Sequence, residues 1–107
     1  MHASAGIMDM KALIVGADRV EPIREALQQA GHFGITRTEH WSGRKVGDVR
    51  RAVSDDTRLI VVICDRINHK LLDHVRKQAA RLGVPTLYAR HSLVEIRGKL
   101  EALRLAA

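Results

Sequence analysis

Residues 59–70 read LIVVICDRINHK, an unbroken apolar run that ends abruptly in polar and charged side chains. Short apolar runs rich in Val and Ile are typical of strands that are covered on both faces. Such strands occur in parallel sheets with helices on both sides, and the chain becomes polar where it leaves the sheet. The stretch therefore predicts a buried central strand over residues 59–64, followed by a polar loop at its carboxyl end.

Apolar runs alternate with segments of helical periodicity four times along the chain. This alternation predicts one α/β domain over residues 11–105, a three-layer Rossmann-like (flavodoxin-like) fold with a four-stranded parallel sheet. Right-handed crossovers and two apolar strands in the middle favour the strand order 2-1-3-4. Residues 1–10 are expected to be a flexible lead-in. The predicted strands span residues 12–16, 35–41, 59–64 and 86–89, and the predicted helices lie within residues 18–31, 45–53, 68–83 and 92–103.

Capping residues mark the starts of three helices. Asp18 with Glu21, and Ser92 with Glu95, have the spacing of a capping box, and Asn68 is a suitable N-cap for the third helix. Each helix also carries an apolar stripe of the kind that packs on a sheet. The predicted buried positions are Val20, Ile23, Leu27 and Ala30; Val46, Val49 and Val53; Leu71, Leu72, Val75, Ala79 and Leu82; and Leu93, Ile96, Leu100 and Leu103.

The second predicted strand alternates between polar and apolar residues. Thr36, Thr38 and His40 fall on one face, and Ile35 and Trp41 on the other. Such a half-polar strand belongs at a sheet edge, where Trp41 is expected in a dimer contact or, less favoured, stacked on a nucleobase. The pattern predicts an edge strand and a homodimer.

Composition limits the class of protein and of partner. The chain has 107 residues, 18 Lys and Arg against 12 Asp and Glu, and a net charge of +6, which favours an anionic partner. The arginines are spread along the predicted helices, so solvated helix faces account for part of this charge. No apolar run approaches the roughly 20 residues of a membrane-spanning helix. The single cysteine, Cys64, excludes an internal disulfide, is expected in the core, and favours the cytoplasm.

Ligands of open α/β sheets bind at the carboxyl ends of the strands, where the winding direction reverses. For the order 2-1-3-4 this point lies between strands one and three. Gly16 follows the first strand and permits a close approach of the backbone. Four arginines, Arg19, Arg44, Arg66 and Arg90, are expected to project from the same edge. The position and the charge predict a site for a small anion such as a phosphate-containing metabolite, in a sensing or accessory role.

Three segments carry a family resemblance: KALIVGADR at residues 11–19, EHWSGRK at 39–45 and LIVVICDRINHKLLDHVRKQAARLGVPTLYAR at 59–90. Their order resembles the bacterial domain of unknown function 2325 family over residues 11–103. The resemblance implies the same α/β fold and singles out Gly16, His40, Gly43, Arg44, Asp65, His69, Ala79, Gly83 and Pro85. The full predicted ligand-binding set is Gly16, Asp18, Arg19, His40, Gly43, Arg44, Asp65, Asn68, His69, Arg90 and Ser92.

Two other functions remain open from the sequence. A metal-binding protein or an enzyme would use His40, Asp65 and His69, although two or three loops would have to bend inward to reach one ion. A nucleic-acid-binding protein would use its basic helices, without sequence preference and at low salt. No dinucleotide fingerprint or phosphatase loop is present, so no reaction and no cofactor are assigned and an enzyme is the less favoured reading.

Overall fold

The computed structural model describes residues 10–30, 35–44 and 46–106. Its elements are β1 (Met10–Val15), α1 (Glu21–Ala30), β2 (Ile35–Trp41), a 3₁₀ helix (Val46–Arg50), β3 (Thr57–Ile63), α2 (His69–Leu82), β4 (Thr86–Ala89) and α3 (Leu93–Ala106). All paired strands are parallel and the sheet order is β2-β1-β3-β4. The predicted fold class and strand order are confirmed. The predicted lead-in lies outside the described residues except for Met10, which begins β1.

The sheet is covered on both faces, as the apolar run at residues 59–63 predicts. Every residue from Leu59 to Ile63 is fully buried, and so are Ala12 to Val15 in β1. On one face, α1 and α3 pack against the sheet through residues such as Ile23 and Ile96. On the other face, α2 and the segment around the 3₁₀ helix pack through residues such as Val75. The domain therefore has three layers, with the two most buried strands at its centre.

The prediction for the faces of β2 was wrong, because the strand is irregular near its start. Met10 pairs with Ile35, but Lys11 pairs with Arg37, so Thr36 is an extra residue. An extra residue reverses the faces of the residues that precede it. Ile35 consequently belongs to the α1/α3 side of the core.

Trp41 belongs to the α2 side of the core and is completely buried. Its indole N–H donates to Glu39 Oε2 at 2.9 Å, and the Arg51 guanidinium lies over the ring, 5.1 Å from its centroid. The expected dimer or nucleobase contact of Trp41 was therefore wrong. The indole fills the space between the edge strand and α2 within a single chain.

Helix α1 begins two residues later than a capping box with Asp18 as N-cap predicts. Its first residue is Glu21, and the carbonyl of Val20 accepts the first helical hydrogen bond, from Arg24 N at 2.8 Å. The Asp18 carboxylate is bound by Arg44 and does not cap the helix. The predicted end of this helix at Gly31 lies outside the described residues, as does the side chain of Ala30.

The segment predicted as a helix over residues 45–53 is only partly helical. The structure has a 3₁₀ helix over Val46–Arg50, and Lys45 and the Val46 side chain lie outside the described residues. Gln78 of α2 shortens the helix, because its side chain accepts a hydrogen bond from Val53 N at 2.8 Å and donates to Arg51 O at 2.8 Å. These contacts use the backbone groups that a continued helix would need. Val53 is still buried, as predicted.

The caps predicted for α2 are confirmed. The Asn68 side chain accepts a hydrogen bond from Leu71 N at 2.8 Å, and Gly83 ends the helix in the left-handed conformation, with φ of 68°. Leu82 was predicted to be buried but is 44% exposed, because it lies in the last turn next to this cap. Among the described helices, none is both long and apolar enough to cross a membrane.

Candidate functional site

An open cleft of about 620 Å³ lies at the carboxyl ends of β1, β2 and β3. This is the edge where a 2-1-3-4 sheet reverses its winding direction. Five of the predicted ligand-binding residues line the cleft: Asp18, Arg19, Gly43, Arg44 and Asn68. Five further lining residues were not in the predicted set: Ala17, Ser42, Arg66, Ile67 and His91.

The loop after β1 forms one wall of the cleft, and its backbone is fixed. Gly16 and Ala17 both have positive φ, at 99° and 64°. Gly16 N donates to Trp41 O and Ala17 N donates to Arg66 O, both at 2.8 Å. A Cβ on Gly16 would lie only 3.0 Å from Arg66 O. Glycine is therefore needed at this position for the close approach of β1 and β3 as well as for its φ angle.

His40 holds this loop through hydrogen bonds and is not among the residues that line the cleft. Its Nε2 lies 3.0 Å from both Gly16 O and Ala17 O. Both partners are acceptors, so Nε2 carries the proton and donates to them. Because a trans peptide points its N–H opposite to its C=O, the Asp18 N–H faces away from His40. The imidazole, predicted as a ligand contact, instead orients a backbone donor of the loop.

Asp18 and Arg44 form a paired group across the cleft. Arg44 Nε donates to Asp18 Oδ1, and Arg44 Nη2 donates to Asp18 Oδ2 at 2.6 Å. The hydrogen bonds from Arg44 lower the pKa of Asp18 and raise that of Arg44. This two-pronged contact keeps Asp18 ionised and neutralises its charge. Arg44 is thus already engaged by the chain, although both side chains are largely exposed.

The loop after β2 forms the opposite wall and is held by a buried carboxylate. Gly43 N donates to Asp48 Oδ2 at 2.9 Å, and Asp48 is only 2% exposed. The other Asp48 oxygen accepts from Arg51 Nη1 at 3.3 Å. Gly43 has a φ of 86°, and its carbonyl accepts a long hydrogen bond from Asn68 Nδ2 at 3.4 Å. The start of α2 and the loop after β2 are therefore joined at the cleft.

Two arginines give the cleft its excess positive charge. The guanidinium groups of Arg19 and Arg66 are exposed, and within the described part of the chain they make no hydrogen bond or ion pair. The charge of Arg66 adds a small part to the lowering of the Asp18 pKa, after the contributions of Arg44. The first turn of α2 adds the partial positive charge of a helix amino terminus next to Asn68. Because Asp18 is neutralised by Arg44, these groups leave the cleft electropositive.

Besides Gly16 and His40, four predicted site residues lie outside the cleft lining. Asp65 Oδ1 accepts from His91 N at 2.9 Å, so Asp65 shapes the loop after β4. Arg90 is paired with Glu95, whose pKa is lowered by hydrogen bonds from the Arg90 backbone N–H and guanidinium. Ser92 Oγ caps α3 by accepting from Glu95 N at 3.3 Å. His69 is exposed in a separate depression on the outer side of α2.

The Ser92–Glu95 capping box forms only in part. Ser92 accepts as predicted, but the Glu95 carboxylate binds Arg90 instead of returning to the Ser92 N–H. Glu95 and Arg90 are therefore hydrogen-bonded to each other at the sheet edge, and neither lines the cleft. Position after a strand predicts that a side chain lies at this edge, but only the contacts show which charges are already satisfied.

Among the missed lining residues, Ser42 directly follows β2, and Ala17 and His91 each lie two residues beyond the end of a strand. His91 Nε2 donates to Arg19 O at 2.9 Å, a contact between residues 72 positions apart. Nothing local in the sequence indicates that contact. Arg66 was expected at this edge by its position, and the structure adds that its guanidinium makes no hydrogen bond or ion pair with the described residues.

Cys64 was expected in the core but is exposed. Strand β3 ends at Ile63, and Cys64 N donates to Ala89 O at 2.8 Å while its side chain lies beyond the sheet. Among the described residues, no group of three or more His, Cys, Asp or Glu side chains is placed to hold a metal ion.

Comparison with protein-family models, with curated proteins and with solved structures finds no match to this chain. The resemblance to the domain of unknown function 2325 family therefore stays a prediction. A proposal for the function of this chain therefore rests on the geometry of the cleft.

Proposed function

We propose that this chain binds a small anion, a phosphate-containing metabolite, in the cleft at the carboxyl ends of β1, β2 and β3. The observation that carries the proposal is the pair of cleft guanidiniums, Arg19 and Arg66, which make no hydrogen bond or ion pair within the described chain. The proposed role is sensing or accessory. The cytoplasmic location and the homodimer expected from the sequence remain predictions.

A phosphate suits this cleft for three reasons. Guanidinium groups bind phosphate oxygens through paired N–H donors, and Arg19 and Arg66 have these donors free. The Asp18 N–H, which faces away from His40, and the start of α2 near Asn68 supply further partial positive charge. The bidentate Arg44 contact neutralises Asp18, which would otherwise repel an anion. A phosphate would thus meet donors from two loops and little opposing charge.

The proposal is tested by isothermal titration calorimetry of inorganic phosphate into the full chain at constant ionic strength. We expect saturable binding at one site. Arg66→Gln and Arg19→Gln should each weaken it about tenfold or more, because each removes a charge-assisted hydrogen bond. The matched control is Arg58→Gln, which removes the same charge from an exposed position near the amino end of β3. Its affinity should equal that of the wild type.

Two results would overturn the proposal. One is the absence of saturable binding by the wild-type chain. The other is an equal loss in all three variants, since attraction by net charge alone does not distinguish Arg58 from Arg66. The nucleic-acid alternative gives a different result: a DNA duplex would bind, would be released by salt, and would be insensitive to Arg66→Gln.

A further inference from the structure

A second cavity, of about 270 Å³, adjoins the cleft. It lies between the amino ends of α1 and α3, and its walls include Pro22, Ile23 and Leu93. Arg19 and His91 line both this cavity and the cleft. The two spaces are therefore neighbours that share these two residues, which we call the Arg19–His91 saddle.

Two hydrogen bonds from His91 hold the saddle in place. His91 Nε2 donates to Arg19 O at 2.9 Å, and His91 N donates to Asp65 Oδ1 at 2.9 Å. These bonds hold the loop after β4 against the loops after β1 and β3. Both residues remain exposed, so the imidazole and the guanidinium present planar groups to solvent. Planar cations and imidazoles pack well against flat rings.

The two spaces differ in chemistry. The cleft has the unpaired Arg19 and Arg66 guanidiniums, whereas Pro22, Ile23 and Leu93 give the second cavity an apolar wall. A ligand that fits both spaces needs an anionic end and an apolar end. A bare phosphate would leave the apolar wall in contact with water.

Resting on the proposed function, we infer that the ligand is a phosphate monoester of a planar, largely apolar group. Its phosphate lies in the cleft near Arg66, and its ring crosses the Arg19–His91 saddle to contact Leu93 and Pro22. The geometry thus selects flat-ringed phosphate esters over phosphate esters of small polyols. The charge of the Arg19 guanidinium attracts the phosphate of this ligand, and the planar face of the same group contacts the ring.

The test compares three probes on the full chain by calorimetry: inorganic phosphate, glycerol phosphate and phenyl phosphate. We expect phenyl phosphate to bind about tenfold more tightly than the other two, because the saddle and the apolar wall bury part of its ring. Leu93→Asn should abolish this preference and leave the affinity for inorganic phosphate unchanged. The matched control is Val94→Asn, since Val94 is the next residue of α3 and is 83% exposed.

Leu93 is half-buried, so a second variant guards against a folding defect. Pro22→Ser changes the other wall at an exposed position and should also reduce the preference for phenyl phosphate. If inorganic phosphate binds but phenyl phosphate binds no more tightly than glycerol phosphate, this inference is wrong and the proposed function stands. A preference that survives both Leu93→Asn and Pro22→Ser also overturns it. If no probe binds, the proposed function fails and the inference falls with it.

Discussion

Charged residues lie at both the cleft and the β2 edge of the sheet, but they are used differently. At the β2 edge, Glu39 contacts Lys11 and Arg51, both at 3.0 Å, and Asp56 contacts Arg37 at 2.7 Å. At the cleft, Arg19 and Arg66 have no such partner in the described chain. The same residue types therefore stabilise the fold in one region and remain free to meet a ligand in the other.

Net charge alone would not have distinguished these two regions. The β2 edge is nearly neutral, because acids and bases alternate around Lys11 and Asp56. The cleft keeps an excess of positive charge because Asp18, the acidic residue in its described lining, is paired with Arg44. The pairing of charges, and not their number, therefore distinguishes the proposed anion site from the β2 edge.

The largest effect is expected from Gly16→Ala, which tests whether the cleft depends on its backbone. The new methyl group would meet Arg66 O at 3.0 Å and would force a left-handed conformation on alanine. We expect a loss of about 2–4 kcal/mol in the free energy of unfolding and a loss of phosphate binding. Denaturant unfolding and calorimetry measure the two effects.

Gly98→Ala is the control for this change. Gly98 lies in α3, and a Cβ there would have nothing within 4 Å. Alanine in a helix is more favourable than glycine, so the variant should be more stable by about 0.5–1 kcal/mol. A Gly16→Ala chain as stable as wild type would show that the loop after β1 is less constrained than its contacts indicate.

An intermediate effect is expected from Asp48→Asn, because Asp48 connects the two regions. It binds Gly43 N at the cleft and Arg51, which also contacts Glu39, at the β2 edge. The amide cannot accept from both, so the free energy of unfolding should fall by about 1–3 kcal/mol. Phosphate should also bind more weakly, since the Gly43 loop loses its anchor.

Asp55→Asn is the matched control for Asp48→Asn, because Asp55 is exposed in the turn before β3. It should change neither the free energy of unfolding nor the affinity for phosphate. Unchanged phosphate binding in a destabilised Asp48→Asn chain would show that the two regions act independently.

The smallest effect on the free energy of unfolding is expected for the ion pairs of the β2 edge when the pH is lowered. Burial raises the pKa of Glu39, but hydrogen bonds from Trp41 and Lys11 outweigh it, so the net pKa lies below its usual 4.5. Hydrogen bonds from Ser54 and Arg37 hold the pKa of Asp56 well below its usual 3.8. A carboxylate with a lowered folded-state pKa stabilises the fold above its unfolded pKa and loses that contribution as pH falls through its folded pKa.

The stability of the chain should therefore decline below about pH 4.5, where Glu39 begins to protonate in the unfolded state. Glu39→Gln should flatten this decline by about 1 kcal/mol or less, because partly exposed ion pairs contribute little. Urea unfolding at pH 7 and pH 3 measures the slope. An unchanged slope in Glu39→Gln would mean that the β2 edge gains little from its ion pairs.

Part of the cleft follows from strand position alone. Asp18, Arg19, Gly43, Arg44 and Asn68 line it because each follows the carboxyl end of a parallel strand. His40 also belongs to this edge, but its imidazole supports the Gly16–Ala17 backbone. His91 likewise follows a strand, β4, but no local pattern reveals its contact with Arg19, 72 residues away in sequence. Local position thus identifies the edge but does not separate lining residues from supporting ones.

The sequence by itself determined the elements and their order. Apolar runs such as residues 59–63 must be covered on both faces, and alternation with helices then leaves a parallel sheet as the arrangement that buries them. Only the tertiary structure decided which charges are free. Arg44 forms an ion pair with Asp18, and Arg90 forms one with Glu95, whereas Arg66 forms no ion pair within the described chain. Pairing of this kind depends on distances between loops that are remote in sequence, and electrostatic attraction falls steeply with distance in water.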